Sequence, residues 1–174
     1  MVKWSIFNDC PNEEAKPIVL FVNTIGYFAV SKSEILVTFT SRKAMALFAF
    51  LLFANHTRHA REDVAFLLWP KAAPKLARAS LRQTVLELKR ILAPHSPSMF
   101  CVTKDAIWLD KSYAKTDIGE VFDFPELNSI ARVASMRRFA PEVFLKGLDD
   151  VSTEFGEWVF AMRTELTRDF VGMC

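Results

Sequence analysis

The chain has 174 residues, 51% of them hydrophobic and 24% charged, an ordinary globular balance with length for one good core or two small ones. Three cysteines, Cys10, Cys101 and Cys174, are odd in number and widely separated, which excludes a disulfide framework and the paired spacing of a zinc site. The net charge of +2 hides an uneven distribution: residues 41–92 hold ten Lys/Arg against three acids, whereas residues 93–174 hold nine basic and thirteen acidic side chains.

A cationic middle between acidic ends is the expected footprint of phosphate binding, although a solvated helix face produces the same count. The most apolar run, "AMALFAFLLFA" from Ala44 to Ala54, is eleven residues long. A membrane-spanning helix needs about twenty, so this run reads as a buried helix. The N-terminus has "WSIF" followed by Asp9, Glu13 and Glu14, without the cationic start and apolar middle of a secretory signal. A cytoplasmic protein with no membrane contact is expected. "HTRH", His56 to His59, places two imidazoles three apart with no further ligand nearby, so no metal site and no cofactor are expected.

In chain order, "IVLFV", "YFAV" and "ILVTF" between Ile18 and Phe39 are short and rich in β-branched and aromatic residues, predicting a small antiparallel sheet. Ser41 is placed to cap a helix whose Ala, Met, Leu and Phe residues lie on all sides, as suits a central pillar covered by sheet and helices. "NHTRH" breaks that run, and "REDVAFLLW" resumes helix with acids in its first turn, where they complement the dipole. Pro70 ends this second helix, and Pro74 opens a third at a position where a missing amide hydrogen costs nothing.

The third helix, from about Lys75 to Leu92, carries two stripes. Leu81, Val85, Leu88 and Leu92 fall within an arc of about 60°, while Arg78, Arg82 and Lys89 fall within about 40° of one another beside it. Lys75 extends the cationic row, Gln83 lies further round, and Ala79 leaves room for a bulky partner. Such a helix suits a groove. Leu86, on the side of Lys75, could touch a thymine methyl or fill a niche beneath a hairpin. After the loop "APHSPS", "MFCVT" and "AIWLD" read as a hairpin with Lys104 at its tip. Beyond Asp117, Leu127, Ile130, Val133 and Met136 make one apolar helical face. Phe155, Trp158, Val159, Met162, Leu166 and Phe170 make a longer one, with a turn, "FLKGLDD", between them. Trp69, Trp108 and Trp158 read as core aromatics.

These blocks, in this order, resemble the SARP family of bacterial transcriptional activators. "TIGYFAV", "SRKAMALFAFLLF", "REDVAFLLWP", "ARASLRQTVLELKRIL", "AIWLD" and "FLKGLDDVSTEFGEWV" cover most of residues 18–170. The resemblance implies an α+β fold: a winged helix-turn-helix of the OmpR/PhoB type over residues 15–116, with an N-terminal antiparallel sheet and a C-terminal wing hairpin. An all-helical, tetratricopeptide-like module over residues 117–174 would begin a bacterial transcriptional activation domain. Two positions depart from the family. Ala60 stands where a small polar residue often caps the second helix, leaving Thr57 or a weak cap. Glu87 replaces a positive charge midway along the third helix, which implies a different base preference. The family's activation domain usually runs further than Cys174, so a piece of a longer regulator is expected.

The implied mechanism puts the third helix in the DNA major groove, with Arg78 and Arg82 at base edges or phosphates and Gln83 adding a polar contact. An arginine fork can grip guanine O6 and N7 with two hydrogen bonds. Arg42, Lys43, Lys75, Lys89 and Lys104 are the expected phosphate contacts, and five such contacts imply a log–log salt slope of about −4 to −5. The resemblance also implies a homodimer on direct-repeat sites in double-stranded DNA and recruitment of RNA polymerase. Catalysis is not expected, since Asp149 and Asp150 sit in a turn without a His or Cys nucleophile and five glycines form no phosphate loop. The competing reading is a protein-interaction module whose winged helix no longer binds DNA.

Overall fold

Ser41 starts the first helix as predicted: its Oγ accepts the Ala44 amide at 3.1 Å, satisfying one of the open N–H groups of α1, Arg42–Phe53. The computed structural model describes residues 19–54, 58–118 and 143–172, with side chains through Arg168. Ala44, Ala46, Leu47, Phe48, Ala49, Leu51 and Leu52 bury most of the surface of α1, and the small alanines let its neighbours come close. It packs against α2 (Arg61–Leu68) and α3 (Pro74–Leu92), so it is the pillar the sequence predicts.

In α3 the buried residues are Ala77, Leu81, Thr84, Val85, Leu88 and Leu92, the seam expected from the helical period. Pro74 occupies the first turn, and Lys89 and Arg90 in the last turn face the negative end of the dipole. The "APHSPS" loop leads to a hairpin of β5 (Phe100–Val102) and β6 (Ala106–Leu109), paired Phe100 with Leu109 and Val102 with Ile107. Lys104 lies in its connecting turn, as predicted.

Two short strands escape the periodicity reading. His59–Ala60, expected as a break, forms β4 and pairs antiparallel with β6. Strand β4 runs directly into α2, whose N-cap residue Ala60 makes no side-chain hydrogen bond. The Arg61 amide, the first open N–H of α2, bonds to the Asp105 carbonyl at 2.9 Å, so the hairpin turn satisfies a donor that a capping side chain at position 60, which reaches the amides two or three residues on, would not. Thr57 lies outside the described residues. The second strand, β7 (Ala114–Thr116), follows a 3-10 turn at Lys111–Tyr113 and joins β1 (Leu20–Asn23) in parallel.

The N-terminal sheet is therefore mixed, not wholly antiparallel as expected. Its order is β3-β2-β1-β7, with β2 at Ala29–Lys32 and β3 at Ile35–Leu36. Leu20 and Val22 point inward and Phe21 and Asn23 outward, the alternation of a half-buried strand. Beyond β7, the Asp117 carboxylate accepts the backbone amides of Thr24 and Ile25, each at 2.9 Å, and the Thr24 hydroxyl. Asp117→Ala would leave those donors unpaired in a buried turn. It should destabilise the fold by about 2–3 kcal/mol, read as a lower urea midpoint with an unchanged slope.

Residues 143–159 share the core of the helical unit. Phe144, Leu145, Leu148, Phe155 and Val159 belong to the same hydrophobic cluster as Leu20, Leu47 and Leu88. Phe144 bridges to Ile25, and Lys146 to Tyr27. The Phe144 ring meets Phe53 edge-on at 5.2 Å. Helix α4, Thr153–Gly172, is capped by Ser152, whose Oγ accepts the Phe155 amide at 3.1 Å and donates to the Leu67 carbonyl at 2.6 Å. Gly156 lets α4 lie against the preceding turn, because a Cβ there would sit 2.6 Å from the Asp149 carbonyl oxygen.

Trp158 packs at 5.2 Å on Phe50 and Phe155. The apolar face expected at Leu127, Ile130, Val133 and Met136 lies outside the described residues, and with it any tetratricopeptide-like pairing before α4. Among the described residues, no helix is long and apolar enough to cross a membrane.

Candidate nucleic-acid interface

The buried seam of α3 orients its other face by geometry alone. With Leu81, Val85 and Leu88 turned to the core, Lys75, Arg78, Arg82, Gln83 and Lys89 are all exposed. Three of the predicted residues come together in one place. Arg78, Arg82 and Lys104 line a groove of about 720 Å³ between α3, the start of α2 and the hairpin turn, with Ala60, Arg61, Glu62, Leu81 and Asp105 completing its wall. Lys75 and Lys89 lie outside this wall, on the same helix.

Hydrogen bonds link the walls of the groove. The Arg61 guanidinium donates to the Thr103 carbonyl at 3.1 Å, and the Arg61 amide to the Asp105 carbonyl, fastening the hairpin turn to α2. Arg78 donates from Nη1 to Glu62 Oε1 at 3.1 Å across the two helices. Arg61 was missed by the periodicity argument: it stands at the head of α2 within the cationic block, but only the fold turns it toward the hairpin. Arg58 was missed too. Its guanidinium lies 4.4 Å from the Trp108 ring centre, and Trp108 is half-buried on β6 rather than sealed in the core.

Arg42 and Lys43 are placed elsewhere. The Arg42 guanidinium grips the Asp150 carboxylate, with Nη1 to Oδ2 at 3.0 Å, and also donates to the Gly147 carbonyl. That hydrogen bond raises the Arg42 pKa and lowers that of Asp150. The Lys43 ammonium donates to the Val151 carbonyl at 2.6 Å and to that of Leu68, and lies 5.4 Å from the Trp69 ring centre. Burial lowers its pKa. Both cations thus join α1 to the turn before α4, and reaching a phosphate would require surrendering these bonds.

Glu87 also has a structural partner. It accepts from the Thr40 hydroxyl and, at 2.8 Å, from Ser41 Oγ, so its carboxylate braces α3 against the start of α1. Leu86 is 43% exposed rather than packed into a niche. Trp69 is half-buried under Lys43.

The fold is similar to that of EmbR from Mycobacterium tuberculosis. The likeness, to a structure of EmbR in complex with a low-affinity phosphopeptide, has a TM-score of 0.66 at 20% sequence identity. It covers 87% of this chain but 42% of the EmbR chain, so the sequence spans less than half of that protein's length. No protein-family model and no curated protein sequence matches. At this identity the EmbR likeness concerns the fold alone. Among the described residues, no three His, Cys, Asp or Glu side chains stand close enough to hold a metal ion.

Proposed function

We propose that the chain is a sequence-specific DNA-binding transcriptional regulator, an activator that binds direct-repeat promoter sites as a homodimer and recruits RNA polymerase. The observation that carries this reading is the convergence of Arg78, Arg82 and Lys104, from two separate elements, on one groove beside an exposed cationic helix. In this reading α3 enters the major groove of double-stranded DNA, with Arg78 and Arg82 at base edges and Gln83 adding a polar contact. The β5–β6 hairpin acts as the wing and brings Lys104 to the backbone. Lys75 and Lys89 hold phosphates, which fix register without reading sequence. A cytoplasmic protein without catalytic chemistry belongs to the same reading; the likeness to EmbR supports the regulator role, at the level of fold.

Because Arg42 and Lys43 are engaged at the junction, three lysines remain as backbone contacts rather than five. The salt dependence changes accordingly. Titration of labelled duplexes at several salt concentrations should give a log–log slope of about −3 rather than −4 to −5. Absence of affinity even in dilute salt would overturn the reading. It would favour a winged helix that serves as a protein-interaction module, an alternative suggested by the two carboxylates, Glu62 and Asp105, in the groove wall.

A further inference from the structure

We propose that Glu62 is a positioning residue for Arg78 that sharpens base discrimination, an inference that rests on the DNA-binding reading above. Glu62 stands in the first turn of α2, and its Oε1 receives Nη1 of Arg78 at 3.1 Å, the one bond that Arg78 makes among the described residues through its guanidinium. The other edge of the guanidinium, Nε with Nη2, is left for a partner. That edge is the two-pronged fork that fits guanine O6 and N7. A guanine contact can therefore form while the ion pair persists.

A phosphate contact is different. Arg78 and Glu62 both line the groove, so a phosphate drawn to Arg78 approaches the Glu62 carboxylate and is repelled, or Arg78 must swing away and lose its partner. The pair thus favours the contact that reads sequence over the one that does not. With side chains 52% and 78% exposed, the pair is weak in the free protein, and its influence grows where DNA excludes water from the groove.

The test uses two duplexes, one selected by the wild-type chain from a randomised pool and one scrambled. Glu62→Gln should lower the ratio of their affinities by about two- to fivefold, the scale of one exposed ion pair. The scrambled duplex should bind more tightly and the selected one no better. Asp63→Asn removes the same charge from the same helical turn, and should raise both affinities together with the ratio unchanged. In an Arg78→Ala background, Glu62→Gln should leave the ratio unchanged.

An unaltered ratio in Glu62→Gln, an equal fall in Asp63→Asn, or the same fall without Arg78 would each overturn the proposal while leaving DNA binding in place. A wild-type chain that retains no duplex from the pool would instead overturn the DNA-binding reading and this inference with it.

Discussion

Reversing two charges, Arg78→Glu together with Arg82→Glu, should abolish measurable duplex binding and leave the fold standing. Both side chains are exposed and lie off the buried seam of Leu81, Val85 and Leu88, so the substitutions remove no core contact. The double variant loses the Arg78–Glu62 ion pair and places a carboxylate near Glu62, but an exposed pair of this kind is worth about 0–1 kcal/mol. On the binding side, each two-pronged arginine contact contributes about 1–3 kcal/mol of discrimination, and each new carboxylate adds repulsion from the backbone. A loss of at least about 100-fold in affinity follows. It is measurable by titration at low salt, with thermal unfolding as the check on folding. Retained affinity would mean that α3 does not lie in the groove, and duplex binding by another surface would have to be sought.

The second large effect lies far from that face. Phe144→Ala should destabilise the whole chain by about 3–5 kcal/mol, the usual cost of emptying a phenylalanine site in a closed core. Phe144 is fully buried, its ring meets Phe53 edge-on, and its carbonyl accepts from the Arg163 guanidinium at 2.9 and 2.7 Å. A domain is stable by about 5–15 kcal/mol, so a loss of this size removes much of the margin. Denaturant unfolding should show one cooperative transition at a lower midpoint, because Phe144 shares its cluster with residues of the sheet and all three helices of the N-terminal unit. Two separate transitions, with only one shifted, would show that residues 143–172 fold independently.

The two effects illustrate why the third helix was readable and the junction was not. A 19-residue helix repeats its burial pattern several times, so the positions of Leu81, Val85, Leu88 and Leu92 define a seam, and the placement of Arg78 and Arg82 on the adjacent face follows from the 100° step. Local chemistry also settles the ends. Ser41 caps α1 by a bond three residues away, and the proline that opens α3 needs no tertiary partner. The hairpin is similarly local, since its two strands are joined by a short turn.

Other features depend on contacts that no local pattern carries. Arg42 looks like any cation in a basic block until Asp150, 108 residues later, is folded against it. Glu87 looks like a charge facing the groove until Thr40 and Ser41 are seen to donate to it across 46 or 47 residues. Strands as short as His59–Ala60 and Ala114–Thr116 have too few residues to display a period of two, and exist because β6 and β1 offer them open edges.

From its residues alone, this chain specifies which face of α3 is buried, which is cationic and where the helices begin, because those properties repeat or act over three or four positions. The tertiary structure decides which cations remain exposed for a partner and which are bound within the molecule. Side chains distant in the chain compete for the same charges, and only the folded geometry determines which of them arrive.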